Sequence, residues 1–136
     1  MEAVASIFTL VQAAAFVSRA TRDVSRKFRD APRELEALAA QSLIVLSELE
    51  NVQHASQNGH ASLVTVATQQ DLKAVFTNIQ VLVDRLDEIC EKSRPHGRFR
   101  VKARWALKEQ QHADRILLEL DQQRDLLYAL LQQITL

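Results

Sequence analysis

The sequence predicts an all-α fold: a four-helix bundle with long, mostly antiparallel helices and an apolar N-terminal helix. Three observations carry that reading. The 136 residues include only two Gly and two Pro, too few for the many turns of an all-β domain. Those four residues fall at three places, Pro32, Gly59 and Pro95/Gly97, and divide the chain into four long segments. Each segment then repeats its apolar side chains at helical spacing. The composition, 47% hydrophobic and 25% charged, is that of a folded domain with one core, so residues 1–136 read as a single domain.

The first segment, 2–29, ends where Asp30-Ala31-Pro32 pushes the chain out of helical angles. Asp30 then serves as an N-cap, with Pro32 in the first turn of the next helix. The second segment, 32–55, carries Leu35, Leu38, Ser42, Val45, Leu46, Leu49 and Val52 on one face and four glutamates off it. It stops at Ser56-Gln57-Asn58-Gly59-His60, where Gly supplies a left-handed end. The third, 62–93, is the most regular. Leu72, Val75, Phe76, Ile79, Leu82, Val83, Leu86, Ile89 and Cys90 form its stripe, with the charged residues elsewhere. Pro95 and Gly97 end it. The fourth, 101–135, places Ala106, Ala113, Leu120, Leu127 and Ile134 on a seven-residue beat, joined by Leu117 and Leu131 and interrupted by Arg124. Such a beat suits shallow packing in a bundle. The pattern is still running at Leu136, which predicts that these residues are the N-terminal piece of a longer protein.

The first segment differs from the others. Residues 3–18 contain no charge, whereas Arg19, Arg22, Arg26, Lys27, Arg29 and Arg33 follow with only Asp23 and Asp30 against them. Val4, Ile7, Val11, Ala14 and Val17 suit a core face, but Phe8, Leu10 and Phe16 spread apolar surface round most of the helix. A secretory signal needs a basic start, and the only early charge is Glu2. A permanent transmembrane helix needs ~20 apolar residues, more than this run offers. Two readings remain open: a buried bundle helix, or one stored in the bundle and released into a membrane.

A second basic cluster lies at 94–108, where Arg94, Arg98, Arg100, Lys102, Arg104 and Lys108 occur with no acid and with Phe99 and Trp105 among them. It suits a lipid-headgroup patch, since aromatics favour the membrane interface. It also suits nucleic acid, with phosphates on Arg and bases on the rings. A third reading is a solvated loop offset by Asp84, Asp87, Glu88 and Glu91. The equal totals of 17 basic and 17 acidic residues weigh against nucleic acid. No catalytic residue, cofactor or metal is predicted. Cys90 lies on an apolar stripe, the four histidines show no metal-ligand spacing, and two isolated glycines build no phosphate loop.

The opening Met1-Glu2-Ala3-Val4-Ala5-Ser6-Ile7 with Val11-Gln12-Ala13-Ala14 resembles the start of the HeLo-like N-terminal domains of fungal NLR-type (STAND) proteins. The break Arg29-Asp30-Ala31-Pro32 before Glu34-Leu35 is similar to that family's join between its first long helices. Arg104-Trp105-Ala106-Leu107-Lys108-Glu109, running into Leu117, Leu120 and Leu127, resembles its entry to the last helix. The resemblance implies a cell-death effector domain of a fungal immune or incompatibility receptor. Such a domain is cytoplasmic at rest and moves to the plasma membrane when its receptor oligomerises. It further implies Val4, Ile7, Phe8, Leu10, Val11 and Phe16 as membrane-inserting residues. Arg98, Arg100, Lys102, Arg104 and Trp105 would form a patch for lipid headgroups or a partner. The implied partners are anionic lipids after activation, further copies of the chain, and downstream nucleotide-binding and repeat regions, with no nucleic acid. The alternative is a helical interaction module that binds its own copies or a partner bundle without membrane activity.

Overall fold

The computed structural model describes residues 2–27, 33–57, 64–92 and 108–134. They form four long helices and, among the described residues, no strand: α1 (Glu2–Arg26), α2 (Arg33–Gln57), α3 (Val66–Lys92) and α4 (Lys108–Ile134). The all-α bundle of long helices is the one the sequence predicts. The Asp30 cap, Pro32, the Gly59 break, Pro95 and Gly97 lie outside the described residues.

The third helix begins later than the apolar pattern indicates, at Val66 rather than 62. Its cap is Thr65, whose Oγ1 accepts the backbone N–H of Thr68 at 3.1 Å. That bond satisfies one of the amides that a helix start leaves without an intrahelical partner. The carbonyl of Thr65 takes the first intrahelical bond, from Gln69. Gln69 also donates its side-chain amide to the carbonyl of Val64, so a polar turn at 64–69 sets the start.

Helix directions follow from reach and from two contacts. Six peptide steps join Lys27 to Arg33 and span at most ~20 Å, while a 25-residue helix is ~37 Å long. Since α1 and α2 pack together along their lengths, α2 must run back antiparallel. Lys27, at the end of α1, bonds Asp87 and Glu91, near the end of α3, so α1 and α3 are parallel. Thr68, at the start of α3, donates to Gln133, near the end of α4, at 2.7 Å, so α3 and α4 are antiparallel. Successive helices thus alternate in direction. The extensive contacts are α1 with α2 and α3, and α4 with α2 and α3. The α2-to-α3 connection therefore crosses a diagonal of the bundle, leaving two antiparallel and two parallel faces.

The core is built from one stripe per helix. On α1, Ile7, Ala14 and Thr21 alternate with Leu10, Val17 and Val24, all buried, at seven-residue intervals. Leu35, Ser42 and Leu49 with Leu38 and Val45 do the same on α2, with Val52 half-buried. Leu72, Ile79 and Leu86 lead on α3, and Ala113, Leu120, Leu127 and Ile134 on α4. Arg124 breaks the α4 stripe without entering the core as a bare charge: it is half-buried and bonds Asp121 one turn back at 3.0 Å.

The stripe is less apolar between α1 and α2. Ser18, Thr21 and Ser42 are buried there, and their hydroxyls have no hydrogen-bond partner among the described residues. Buried hydroxyls of this kind cost stability instead of contributing it.

Two outcomes test this packing. Leu120→Ala, at a fully buried site, lowers unfolding stability by about 3 kcal/mol in urea. Leu118→Ala, 61% exposed and two residues away on the same helix, changes it by less than about 0.5 kcal/mol. Thr21→Val raises the melting temperature, by the equivalent of about 0.5–1 kcal/mol, where a hydroxyl held by a good partner would give a loss.

Candidate functional site

Residues 3–18 make α1 the candidate site, and the bundle divides its apolar side chains into two sets. Ile7 and Leu10 are core residues, 0% and 3% exposed. Val11 is half-buried against the core. Phe8 and Phe16 are 50% and 54% exposed. Val4 is in α1, but its side chain lies outside the described residues. The candidate inserting residues therefore do not form one surface in the folded bundle. The reason is the phase of the helix: Ile7 and Leu10 fall on the inward a and d positions, while Phe8 and Phe16 fall on opposite flanks of the outward face.

Releasing α1 has a definite cost. Returning a fully buried Ile, Leu or Val to water loses about 1.5–3 kcal/mol per side chain, so Ile7, Leu10 and Val17 together hold the helix strongly. Ala14, Ser18 and Thr21, lying beside them, add little.

A charged clamp fixes the far end of α1. The Lys27 ammonium bonds Asp87 and lies 2.6 Å from Glu91. Burial works against the charged lysine, but the hydrogen bonds and charges of Asp87 and Glu91 outweigh it and raise its pKa. Two of the acids expected to offset the 94–108 cluster thus serve α1 instead. Arg98, Arg100, Lys102, Arg104 and Trp105 themselves lie outside the described residues. Cys90, beneath the clamp, is buried; loss of water, then the Asp87 carboxylate, pushes its thiol up to about 12. At neutral pH it is a protonated packing group and not a nucleophile.

Two open grooves flank the helices. One of about 420 Å³ between α3 and α4 is lined by Arg85, Glu88, His112, Arg115 and Glu119 over Ile89 and Ile116. Its basic and acidic side chains alternate, which favours neither an anion nor a cation. The other, about 270 Å³, runs between the N-terminal halves of α1 and α3 and is lined by Thr9, Leu10, Val66, Gln69, Gln70 and Lys73. Among the described residues no three His, Cys, Asp or Glu side chains converge on a metal position. Nor is any described helix long and apolar enough to cross a membrane.

Sequence reasoning missed the exposed apolar pair on α2, Leu43 (41%) and Ile44 (48%). A signal was present: Ala37 to Ser47 is a second run without charge. No family model matches the chain, and no curated protein or solved structure matches it.

Lys27→Met tests the clamp. It lowers stability at pH 7 by up to about 1 kcal/mol, the scale of partly exposed ion pairs. A raised lysine pKa stabilises the fold fully below the ordinary value of 10.5, and that contribution is lost as pH rises through the higher folded-state value. Urea titrations at pH 7 and above pH 11 check this: the gap between wild type and variant narrows at the alkaline pH.

Proposed function

We propose that this chain is a membrane-targeting effector domain of the HeLo-like kind, the cell-death output of a fungal immune or incompatibility receptor. It acts by oligomerisation and engagement of the membrane through α1. One observation carries the reading: α1 exposes two large aromatic side chains on an outward side whose other exposed residues up to Ser18, Thr9 and Gln12, are uncharged. Phe8 and Phe16 stand half exposed on a helix whose residues 3–18 carry no charge. An ordinary surface helix keeps its outer side polar.

The helix dimensions refine the step. The sixteen uncharged residues 3–18 reach ~24 Å, short of the ~30 Å hydrocarbon layer. A single α1 therefore seats in the interface with its apolar faces down. Arg19, Arg22 and Arg26 stay at the headgroups, each contributing about 1 kcal/mol on an anionic leaflet. Clustering by the receptor makes these weak insertions act together. The domain rests in the cytoplasm and moves to the plasma membrane on activation, and its partners are anionic lipids, further copies and the downstream receptor regions.

The second reading, an interaction module without membrane activity, is favoured by Leu43 and Ile44. They are exposed apolar side chains on α2, a helix that an α1-insertion mechanism does not use.

Leakage of dye from anionic vesicles separates the two. The informative variant is Phe8→Glu with Phe16→Glu, because both side chains are outside the core. Removing residues 1–18 would strip Ile7, Leu10, Ala14 and Val17 from it. The effector reading expects wild-type leakage that weakens with salt and drops at least ~10-fold in the double variant at unchanged melting temperature. Absence of leakage from the wild type, even when copies are fused to a forced oligomer, leaves the interaction module.

A further inference from the structure

We infer that the Lys27 clamp is a latch on one half of α1. It holds residues 18–27 against α3, and when it breaks that half opens as a separate unit while residues 7–17 stay packed. The inference goes beyond the membrane reading and does not rest on it.

The two halves of α1 are held differently. Residues 7–17 bury Ile7, Leu10, Ala14 and Val17, with Val11 and Ala13 packed partly against the same core. Residues 18–27 bury Ser18, Thr21 and Val24, with Ala20 partly buried beside them. Val24 is the one large apolar group of that half, and after it come only Ser25, Arg26 and Lys27. The hydroxyls of Ser18 and Thr21 are buried without a hydrogen-bond partner among the described residues, as are the Ser42 hydroxyl and the Gln41 side-chain amide nitrogen on α2. These groups share a level of the bundle. Ser18 and Thr21 stand nine and six residues before Lys27, and Gln41 and Ser42 eight and nine after Arg33, on helices that run antiparallel. Closing a seam over polar groups that find no partner gains little, and opening it returns them to water.

The clamp supplies what this seam lacks. Lys27 bonds Asp87 and lies 2.6 Å from Glu91, and its side chain is 26% exposed. Asp87 and Glu91 are one turn apart on α3, on the flank away from Arg85, Glu88 and Ile89, which line the groove with α4. The clamp thus ties the last described residue of the first segment directly to α3. Such weakly packed, locally held segments are the ones that open below the free energy of global unfolding. Cys90 lies on the same flank, between the two acids in sequence, and is buried. It is the single cysteine of the chain, so its accessibility reports on the latch.

Two lipid-free measurements at pH 7 on the 136-residue chain test this: hydrogen exchange by segment, and labelling of Cys90 with uncharged N-ethylmaleimide. Lys27→Met is compared with Ile79→Val, a fully buried site nearer the middle of α3 whose loss of global stability is of similar size. In Lys27→Met, amides of residues 18–27 and the Cys90 thiol are expected to react ~5-fold faster than in wild type, the scale of a partly exposed ion pair. Exchange of residues 7–17 changes less than ~2-fold, and Ile79→Val changes both readouts at 18–27 and Cys90 less than ~2-fold. Loss of the lysine charge by itself makes the thiol less reactive, since Lys27 lowers its pKa, so faster labelling reports opening. Added salt accelerates wild-type labelling and leaves Lys27→Met unchanged, because only the wild type has a clamp to screen. Equal acceleration in Lys27→Met and Ile79→Val, or acceleration spread evenly over α1, overturns the inference, because Cys90 is then reached by global unfolding. Unchanged exchange and labelling in Lys27→Met overturn it too. Vesicle leakage decides the membrane reading separately, since neither readout here involves lipid.

Discussion

The burial of Ile7, Leu10 and Val17 is the contact on which the rest of this bundle depends. Helix α1 packs against both α2 and α3, so its inward stripe closes two of the four helix–helix faces at once. A helix in that place cannot be an appendage. Any role that takes it to a membrane must first open the core. Yet the same stripe carries smaller and more polar groups than that of α3. Ala14, Ser18 and Thr21 present small or polar groups where α3 presents Phe76, Ile79 and Leu86. The unpartnered buried hydroxyls of Ser18 and Thr21, and of Ser42 on α2, lower adhesion further. Retention of α1 is therefore shared between three large apolar side chains and the ionic clamp at Lys27.

That division of labour has a physical consequence. Apolar burial is not screened by salt, and excluded salts strengthen it, whereas a partly exposed ion pair is weakened by screening. An anionic surface near the clamp would also compete with Asp87 and Glu91 for Lys27. The basic end of α1 and the clamp are contiguous in sequence, so what draws the helix towards an acidic partner also loosens its anchor. The exposed Phe8 and Phe16 are positioned to profit from either event.

The diagonal crossing between α2 and α3 sets these relations. Side-by-side succession around the bundle would have put α4, rather than α3, against α1. Lys27 would then have had no Asp87 and Glu91 to meet. The parallel α1–α3 face brings two helix ends of opposite side-chain charge together. The antiparallel α3–α4 face instead brings Arg85 and Glu88 against Arg115 and Glu119 in a mixed groove.

The sequence by itself determined the class of fold, the four segments and nearly all of the inward stripe. Period and punctuation are local properties: Leu72 to Leu86 or Ala113 to Ile134 can be read one turn at a time. The start of α3 was displaced by four residues because Thr65 caps through a hydroxyl, a signal that the apolar pattern does not carry. Within α1, Leu10 read as surface and is core, since a helix apolar on nearly every side has no periodic contrast from which to take its phase. Which helices touch, where Lys27 finds its acids, and that Leu43 and Ile44 stand exposed on α2 were decided only by tertiary structure. Those facts join residues as many as 65 positions apart, and no local pattern encodes which of several equally amphipathic helices will be the neighbour.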